Sequence, residues 1–521
     1  MNKLLKGLKS TANMVKTQNG ADTYQSTLNK VYDLFAQGAA MRGSEEDDCI
    51  RMFKEAYDEN PTLALKCLFY LRDIRGGGQG ERRFFRTCIK WLADYKVEEV
   101  KSLVKYIPEF GRWDDLYSLV RTGAQTEMFE FIRKQITLDL QSQTPSLAAK
   151  WLKSENASAR ETKQLGALTR NALNLTPERY RKMLSTLRNR IRIVETLMSQ
   201  GRWDEIEFDK IPSKAGLIYK NAFARHDITK ERYEKFIKDE NTTVNAKALY
   251  PYDVVHQVSK LWRTNHGWYD SYSLQNVPYD NVERLAINKY WDNLTDYFNG
   301  ATLNALAVVD TSGSMTNGYN SNIVPMDVAI SLGLYCAERA KGPFENHFIS
   351  FSQTPQLIEC SGIDFCDKVT RIYNRNECEN TNIEATFDLI LDTAIENHLK
   401  QSDLPENIII ISDMQFDEAR GNYSYFSYRS GKKQPPQATL MENIRNKWNH
   451  LGYKMPKLIF WNVNAATGAG NIPMKDEDGI TFVSGASPVI FEMVMTGKTG
   501  LSIMLDKLLS TRYEAIKSCY E

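Results

Sequence analysis

Long apolar runs are missing from this 521-residue sequence. A membrane-spanning helix needs about 18–20 consecutive apolar residues, and no stretch approaches that length. The basic N-terminal segment MNKLLKGLKS lacks the apolar core of a secretory signal peptide. We therefore expect a cytoplasmic protein that has no leader and does not bind membranes.

Motifs of the common metal and catalytic sites are also missing. The eight cysteines form no C-x-x-C pair and the six histidines form no H-E-x-x-H, which argues against a zinc site and favours reduced, mostly buried thiols. The G-x-S-x-G turn of serine hydrolases is absent, and the glycine-rich GGGQGE has no lysine after it, unlike a P-loop. We expect no enzymatic activity.

Charge of one sign does not dominate either. The 66 basic and 65 acidic residues leave a net charge of +1, so only a local basic surface is compatible with the totals. Apolar content of 42% and charged content of 25% are ordinary for a globular protein. The length exceeds what one hydrophobic core usually supports, so two or more domains are expected.

After an N-terminal arm (1–22), residues 23–300 are dominated by helical patterns. Apolar residues recur at helical spacing and strand-type alternation is scarce. The predicted helical segments are 45–72, 81–107, 126–140, 147–153, 161–174, 177–200 and 229–239.

A short motif occurs twice in this helical part. Gly111-Arg112-Trp113-Asp114 and Gly201-Arg202-Trp203-Asp204 each suit a junction at which glycine ends one helix and an acid begins the next. The two copies favour stacked, HEAT-like helical repeats, although chance recurrence is the alternative. Whether such repeats close into a ring is left open.

Residues 301–521 have a different pattern, in which apolar segments of strand length alternate with helices. The predicted strands are 303–309, 346–351, 407–412 and 457–463, and the predicted helices are 326–341, 383–398 and 438–450, with a final amphipathic helix over 500–520. Strands that are apolar on both faces indicate a parallel sheet covered by helices on both sides. We predict a doubly wound α/β domain.

Oxygen-bearing side chains lie at the predicted ends of two of these strands. Asp310, Ser312 and Ser314 follow one strand, Asp413 follows another, and Thr381 precedes a helix. Ligands gather at the carboxyl ends of strands in open α/β sheets, and oxygen donors suit a hard divalent cation. The alternative is a metal-free polar turn that caps the next helix.

This pattern resembles the von Willebrand factor A domain and its metal-ion-dependent adhesion site. The match comprises Asp310-x-Ser312-x-Ser314, then Thr381, then Asp413, in the order of that family. The resemblance implies direct ligation by the three hydroxyls, aspartates that act largely through water, and an open position for an acidic ligand. Mg²⁺ is expected first, with Mn²⁺ or Ca²⁺ open. Glu379-Asn380 and Met414-Gln415-Phe416 depart from the family pattern.

Two segments of the helical part concentrate arginine. The first surrounds glycines 76, 77, 78 and 80, and the second, 160–202, has ten basic and three acidic residues. Backbone amides and guanidinium groups in such a setting can bind phosphate. The alternatives are a flexible turn for the first segment and a solvated basic helix face for the second. The candidate RNA-binding residues are Arg75, Arg82, Arg83, Arg86, Arg181, Arg188 and Arg192.

The segments RDIRGGGQGERRFFR, YIPEFGRWDDLYSL and AAKWLKSENASARETK, followed by the D-x-S-x-S domain, resemble the DUF2828 family. The layout of that family is similar to the Ro, or TROVE-module, RNA-binding proteins. The resemblance implies a non-catalytic RNA-binding scaffold for small or single-stranded RNA, expected to be a monomer, with a metal site for an acidic protein ligand. The alternative is a metal-dependent assembly adaptor that binds no nucleic acid.

Overall fold

The computed structural model describes residues 13–17, 19–191, 193–264, 281–316, 323–351, 354–375, 382–416, 439–465, 472–494 and 496–520. Contacts divide the chain into two compact units, and neither unit is one continuous stretch. An α/β unit draws on 1–60, 250–278 and 294–510, and a helical unit draws on 61–249, 279–293 and 511–521. The predicted boundaries after residues 22 and 300 stay predictions, because compactness and chain order are separate criteria.

The elements are numbered along the chain. The strands are β1 Met14–Lys16, β2 Asp22–Tyr24, β3 Ala305–Asp310, β4 His347–Phe351, β5 Gln356–Glu359, β6 Asn407–Ser412, β7 Lys457–Asn462 and β8 Ile480–Ser484. The helices are α1 Lys30–Gln37, α2 Glu46–Glu59, α3 Pro61–Arg72, α4 Arg82–Tyr95, α5 Val97–Leu103, α6 Ile107–Phe110, α7 Gln125–Gln141, α8 Ala148–Trp151, α9 Arg160–Ala172, α10 Pro177–Ile191, α11 Val194–Ser199, α12 Ser213–Arg225, α13 Lys230–Lys238, α14 Pro251–Thr264, α15 Val282–Asp292, α16 Pro325–Arg339, α17 Phe365–Asn374, α18 Ile383–Glu396, α19 Leu440–His450, α20 Val489–Val494 and α21 Gly500–Leu508.

A six-stranded sheet forms the centre of the α/β unit. Its strand order is β5-β4-β3-β6-β7-β8, and all neighbours are parallel except β4 and β5. Every residue of β3 is buried, and so are five of the six residues of β6, as expected for central strands with both faces covered. The predicted α/β character of this part of the chain is confirmed, and its four predicted strands are β3, β4, β6 and β7.

Other parts of the α/β unit differ from expectation. The edge strands β5 and β8 and the hairpin of β1 and β2 were not predicted, because they are three to five residues long and give little periodicity. The predicted C-terminal helix is too long, because α21 ends at Leu508 and a short 3₁₀ turn follows at Thr511–Tyr513. The α21 pattern therefore predicts the start of the helix correctly and its end incorrectly.

The helical unit contains α3 to α13 and α15, so the helix-rich character predicted for this part of the chain is confirmed. In α4, the buried residues Phe84, Phe85, Cys88, Ile89 and Leu92 recur at helical spacing and form its core face. Both copies of the Gly-Arg-Trp-Asp motif lie at helix junctions, the first after α6 and the second after α11. A HEAT-like repeat and a closed ring stay predictions.

The sequence also predicts reduced, mostly buried thiols and no membrane-spanning helix. The seven cysteines in the described residues are free, and all of them except Cys519 are buried. Cys378 lies outside the described residues. Among the helices that the structure describes, none combines the length and apolar character that crossing a bilayer requires.

Candidate functional site

Strand β3 delivers Asp310 to the carboxyl end of the sheet. The strand is flanked by parallel neighbours on both sides, which leaves the Asp310 side chain fully buried. One carboxylate oxygen of Asp310 accepts a hydrogen bond from the backbone N–H of Ser312, at 2.9 Å. This local bond turns the chain sharply after the strand and brings Ser312 and Ser314 to the same edge.

The next strand of the sheet, β6, delivers Asp413 to the same edge. The register pairs Val309 with Ile411, so the residues that follow the two strands lie side by side. The Ser412 hydroxyl donates a hydrogen bond to the second carboxylate oxygen of Asp310. Asp413 is 1% exposed, and its Oδ1 accepts from the backbone N–H of Gln415 at 3.1 Å.

The other carboxylate oxygen of Asp413 is the unusual atom of this group. Oδ2 is buried and has no hydrogen-bond partner among the described residues. Burial and the nearby charge of Asp310 raise the pKa of Asp413 above its ordinary value, whereas the Ser314 hydroxyl lowers it. Two buried carboxylates side by side are electrostatically unfavourable unless a positive charge is shared between them.

The donor set fits a hard divalent cation. The hydroxyl oxygens of Ser312 and Ser314 lie 3.1 Å apart, beside the two carboxylates. Within the described residues, no three His, Cys, Asp or Glu side chains are arranged to hold a metal ion. The group at this edge has two carboxylates and two hydroxyls and lacks soft ligands. Oxygen ligands of this kind suit Mg²⁺, Mn²⁺ or Ca²⁺ better than zinc or copper.

Four of the five predicted metal ligands thus come together, and the fifth cannot be placed. Thr381 lies outside the described residues, as do Glu379 and Asn380, so its role stays a prediction. The predicted alternative, a metal-free polar turn that caps the helix that follows, stays a prediction as well, because Asp310 does bond the backbone of the turn at Ser312. That helix, α16, has Val324 at its N-cap position and no side-chain cap.

Sequence reasoning missed Ser412 as a support of the site and named Met414 only as a departure from the family pattern. Ser412 holds Asp310 and also accepts a hydrogen bond from the backbone N–H of Met414, at 2.9 Å. Met414 has a φ of 62°, in the left-handed region that favours glycine, and its side chain is buried. The sequence signal that could have identified Ser412 is its position as the single polar residue at the end of the apolar strand IIIIS.

The glycine stretch of the helical unit packs around a buried aspartate. Asp73 accepts hydrogen bonds from the backbone N–H groups of Arg75 and Gly76 and pairs with Arg512 at 2.9 Å. A Cβ on Gly76 would lie 2.4 Å from a carboxylate oxygen of Asp73, and one on Gly78 would lie 2.3 Å from the Tyr70 carbonyl oxygen. These glycines permit close packing. The Gly76 N–H donates to Asp73 and is therefore not free to bind a phosphate.

The predicted RNA-binding arginines of the glycine segment differ in their surroundings. Arg75 and Arg82 are exposed, and Arg83 is half-buried. Arg86 instead forms ion pairs with Asp114 at 2.8 Å and with Asp115 at 2.7 Å. The guanidinium of Arg86 is therefore engaged within the helical unit.

The predicted arginines of α10 and its end divide in the same way. Arg181 is exposed. Arg188 donates hydrogen bonds to the carbonyl oxygens of Ala149 and Leu152 and to the Ser154 hydroxyl, at 2.8–3.0 Å. Arg192 lies outside the described residues. As a set, these seven arginines stay a prediction, and the structure shows which of them are already bonded internally.

Comparisons with known proteins match two parts of the chain. A family model described as a domain of unknown function, DUF2828, matches residues 17–171 and 145–299, and another domain of unknown function, DUF7788, matches 304–514. A relative described as "Uncharacterized protein L728" of Acanthamoeba polyphaga mimivirus is 27% identical over 531 residues, covering 94% of this chain and 85% of the relative. The von Willebrand factor A resemblance has no matching family model among these.

One solved structure is also similar over most of its length. The crystal structure of the Deinococcus radiodurans RO (RSR) protein covers 95% of this chain and 95% of its own, with 13% sequence identity and a TM-score of 0.34. A TM-score at this level does not establish a shared fold.

Proposed function

The chain belongs to the DUF2828 family, and we propose that it is a non-catalytic binding protein that docks an acidic group of a partner through a divalent cation. The supporting observation is the buried Oδ2 atom of Asp413, which lies beside a second carboxylate and lacks a partner among the described residues. A buried carboxylate oxygen without a partner is costly, and a cation shared with Asp310 removes that cost.

Four described side chains and one other would hold the cation. Ser312, Ser314, Asp310 and Asp413 are the described ones, and we add Thr381 on the basis of the sequence pattern. When bound, the cation supplies a positive charge that is only partly neutralised by two carboxylates, so an incoming carboxylate gains from it. We assign no catalytic step, because both carboxylates serve the cation and the sequence offers no motif for a separate general base.

Metal binding and acidic-ligand binding are tested on the full chain. The thermal unfolding midpoint is measured in EDTA and in 5 mM Mg²⁺, Mn²⁺ or Ca²⁺, about the concentration at which weak sites fill. Fluorescence anisotropy then follows a labelled hexaglutamate peptide, with hexaglutamine as its control. We expect a metal-dependent rise of the midpoint and metal-dependent binding of hexaglutamate alone. An unchanged midpoint with every metal contradicts the proposal.

A second candidate function, RNA binding by the helical unit, is favoured by a specific observation. Arg75, Arg82 and Arg181 are exposed, and their guanidinium groups form no ion pair with any described residue. Exposed arginines without acidic partners attract phosphate groups regardless of base sequence. In this case the α/β unit docks a partner while the helical unit holds RNA, as in a ribonucleoprotein scaffold.

The salt dependence of RNA binding tests this second function. The triple variant Arg75→Gln, Arg82→Gln, Arg181→Gln should reduce the slope of log affinity against log salt by about 2 for single-stranded RNA, since each contact contributes about 0.7. A matched control removes three charges from the α/β unit: Lys341→Gln, Lys368→Gln, Lys498→Gln. Equal slopes in the two variants, or no binding by the unaltered chain, contradict RNA binding at this surface.

A further inference from the structure

The two Gly-Arg-Trp-Asp motifs use their arginines differently. In the second copy, Arg202 donates to both carboxylate oxygens of Glu205, at 2.6 and 2.5 Å, in a two-point ion pair three residues along the chain. Trp203 stacks on His226 with the ring centres 3.8 Å apart. The charge of Arg202 is therefore neutralised by the acid that directly follows its own motif.

In the first copy, the acid in the equivalent position is occupied by other arginines. Asp115 forms ion pairs with Arg72 at 2.7 Å and with Arg86 at 2.7 Å, and it also accepts from the backbone N–H of Arg112. Gly111 allows this arrangement, since a Cβ there would lie 2.4 Å from an Asp115 carboxylate oxygen. The guanidinium of Arg112 is consequently left without this acid.

The Arg112 side chain stacks on an aromatic ring instead. Its guanidinium carbon lies 4.9 Å from the centre of the Trp151 ring, and Arg112 forms no ion pair with any described residue. Arg112 and Trp151 are both half-buried, so Arg112 is partly desolvated but not sealed from solvent. A charged hydrogen bond to an arriving anion is stronger in such a setting than in open water.

The surroundings of Arg112 carry excess positive charge. Arg72 and Arg86 form ion pairs with the carboxylates of Asp114 and Asp115, whereas Arg82 and Arg112 form no ion pair with a described residue, so four guanidinium groups accompany two carboxylates and leave a surplus of two positive charges. Burial lowers the pKa of Arg112, and the charges of Arg72 and Arg82 lower it further. An anion bound here relieves the repulsion between these guanidinium groups.

The segment that carries Trp151 is held rigidly. The hydroxyl of Tyr180 donates to the Lys153 carbonyl oxygen at 2.7 Å, and the hydroxyl of Tyr117 accepts from the Lys153 N–H at 3.2 Å. Arg188 donates to the carbonyl oxygens of Ala149, which precedes Trp151, and of Leu152, which follows it. Arg188 thus acts as a positioning residue for the ring, and binding at Arg112 costs little ordering of the chain.

We propose that Arg112, stacked on Trp151 and close to the exposed Arg82, forms a phosphate-binding site for the backbone of single-stranded RNA. A planar guanidinium fork matches a phosphate, and the surplus of two charges matches two successive phosphodiesters. Guanidinium groups beside an aromatic ring are typical of single-strand binding surfaces. The site extends the second function proposed above, RNA binding by the helical unit. It rests on that function only for the claim that the bound phosphate belongs to RNA.

The test compares the two motif arginines in the full chain. Affinity for a fluorescein-labelled ten-nucleotide oligouridine is measured across salt concentrations for the unaltered chain, Arg112→Gln and Arg202→Gln. We expect Arg112→Gln to lose on the order of tenfold in affinity and about 0.7 of the salt slope. Arg202→Gln removes the same charge from a neutralised pair and should match the unaltered chain.

Two additions keep the outcome decisive. Arg112→Lys retains the charge but loses the planar fork, and it should bind with intermediate affinity even if Arg112→Gln folds poorly by circular dichroism. Inorganic phosphate replaces chloride at equal ionic strength in a thermal-unfolding assay. Stabilisation by phosphate of the unaltered chain but not of Arg112→Gln supports a phosphate-binding site. The same stabilisation without any RNA binding overturns RNA as the ligand that supplies the phosphate. RNA binding that is equal in both glutamine variants overturns the site and leaves the second function intact.

Discussion

Ser412 donates a hydrogen bond to Asp310 across the two central strands of the sheet. The same hydroxyl accepts from the backbone N–H of Met414 at 2.9 Å, so it connects the end of β3 with the turn after β6. Asp413 lies between Ser412 and Met414 and is thereby held beside Asp310.

The first prediction concerns the charge of Asp413. Asp413→Asn removes one of two neighbouring buried carboxylates, so in EDTA we expect stabilisation of roughly 1–2 kcal/mol. In Mg²⁺ we expect the opposite ranking, because the variant lacks a ligand and gains nothing from the metal. Thermal unfolding under both conditions measures this crossover.

A buried aspartate elsewhere in the α/β unit serves as the control. Asp33 is also buried with a raised pKa, but it accepts hydrogen bonds from Ser26 and Thr27. Asp33→Asn should therefore destabilise the chain equally in EDTA and in Mg²⁺ and keep the metal response. If Asp413→Asn behaves in this way too, Asp413 is not a metal ligand.

The second prediction concerns the two hydroxyls. The double variant Ser312→Ala, Ser314→Ala should bind Mn²⁺ at least on the order of 10–100-fold more weakly, because removing even the outer-shell partners of metal ligands has an effect of that size. Titration followed by electron paramagnetic resonance measures this affinity. Ser331→Ala is the control, since Ser331 is buried in α16 and donates to the Val328 carbonyl oxygen. Equal Mn²⁺ affinity in both variants would remove the serines from the site.

The third prediction concerns the backbone of Met414. Replacement by alanine and by glycine removes the same buried side chain to within one methyl group, but only glycine adopts a φ of 62° without steric cost. A left-handed residue costs about 1–2 kcal/mol, so Met414→Gly should be more stable than Met414→Ala by roughly 1 kcal/mol. Urea unfolding measures the difference. Equal stability would show that the turn relaxes to another conformation when the side chain is lost.

The fourth prediction concerns the buried pair of Arg72 and Asp115. A methyl group at position 111 displaces one partner, and breaking a buried ion pair costs about 3–5 kcal/mol. Gly111→Ala should therefore destabilise the chain by at least about 3 kcal/mol. Gly201→Ala in the twin motif meets no atom within 4 Å and should cost only about 1–2 kcal/mol for its φ of 72°. Similar losses in urea unfolding would contradict the close-packing role of Gly111.

Much of the α/β unit could be predicted because its central strands are strongly apolar. Strand 407–412 was predicted with its observed bounds, and the oxygen donors after β3 and β6 followed from the rule that parallel strands end at one edge. The short strands β5 and β8 were not predicted. Their periodic signal is weak, and their pairing depends on neighbours distant in sequence. Ser412 was missed because its role requires the β3–β6 register.

The arginines show the limit of sequence reasoning more clearly. Arg86 and Arg188 look like surface cations in the sequence, yet their partners are the acids 114 and 115 for Arg86 and the backbone of 149–152 for Arg188. Arg112 was read as part of a junction motif, whereas the structure leaves its guanidinium on Trp151. The residues next to an arginine in the sequence do not determine which acid it pairs with in the folded chain.

The sequence by itself determined the helix-rich and α/β parts of the chain and the oxygen donors at two strand ends. These features depend on periodicity and on the geometry of parallel strands, which neighbouring residues encode. Only the tertiary structure decided that the Asp413 carboxylate keeps one buried oxygen unpartnered and that Arg112 differs from its twin Arg202. The physical reason is that ion pairing depends on distance in space. Arg72 and Arg86, each more than 25 positions from Asp115 in sequence, form the ion pairs with Asp115, and the nearby Arg112 does not.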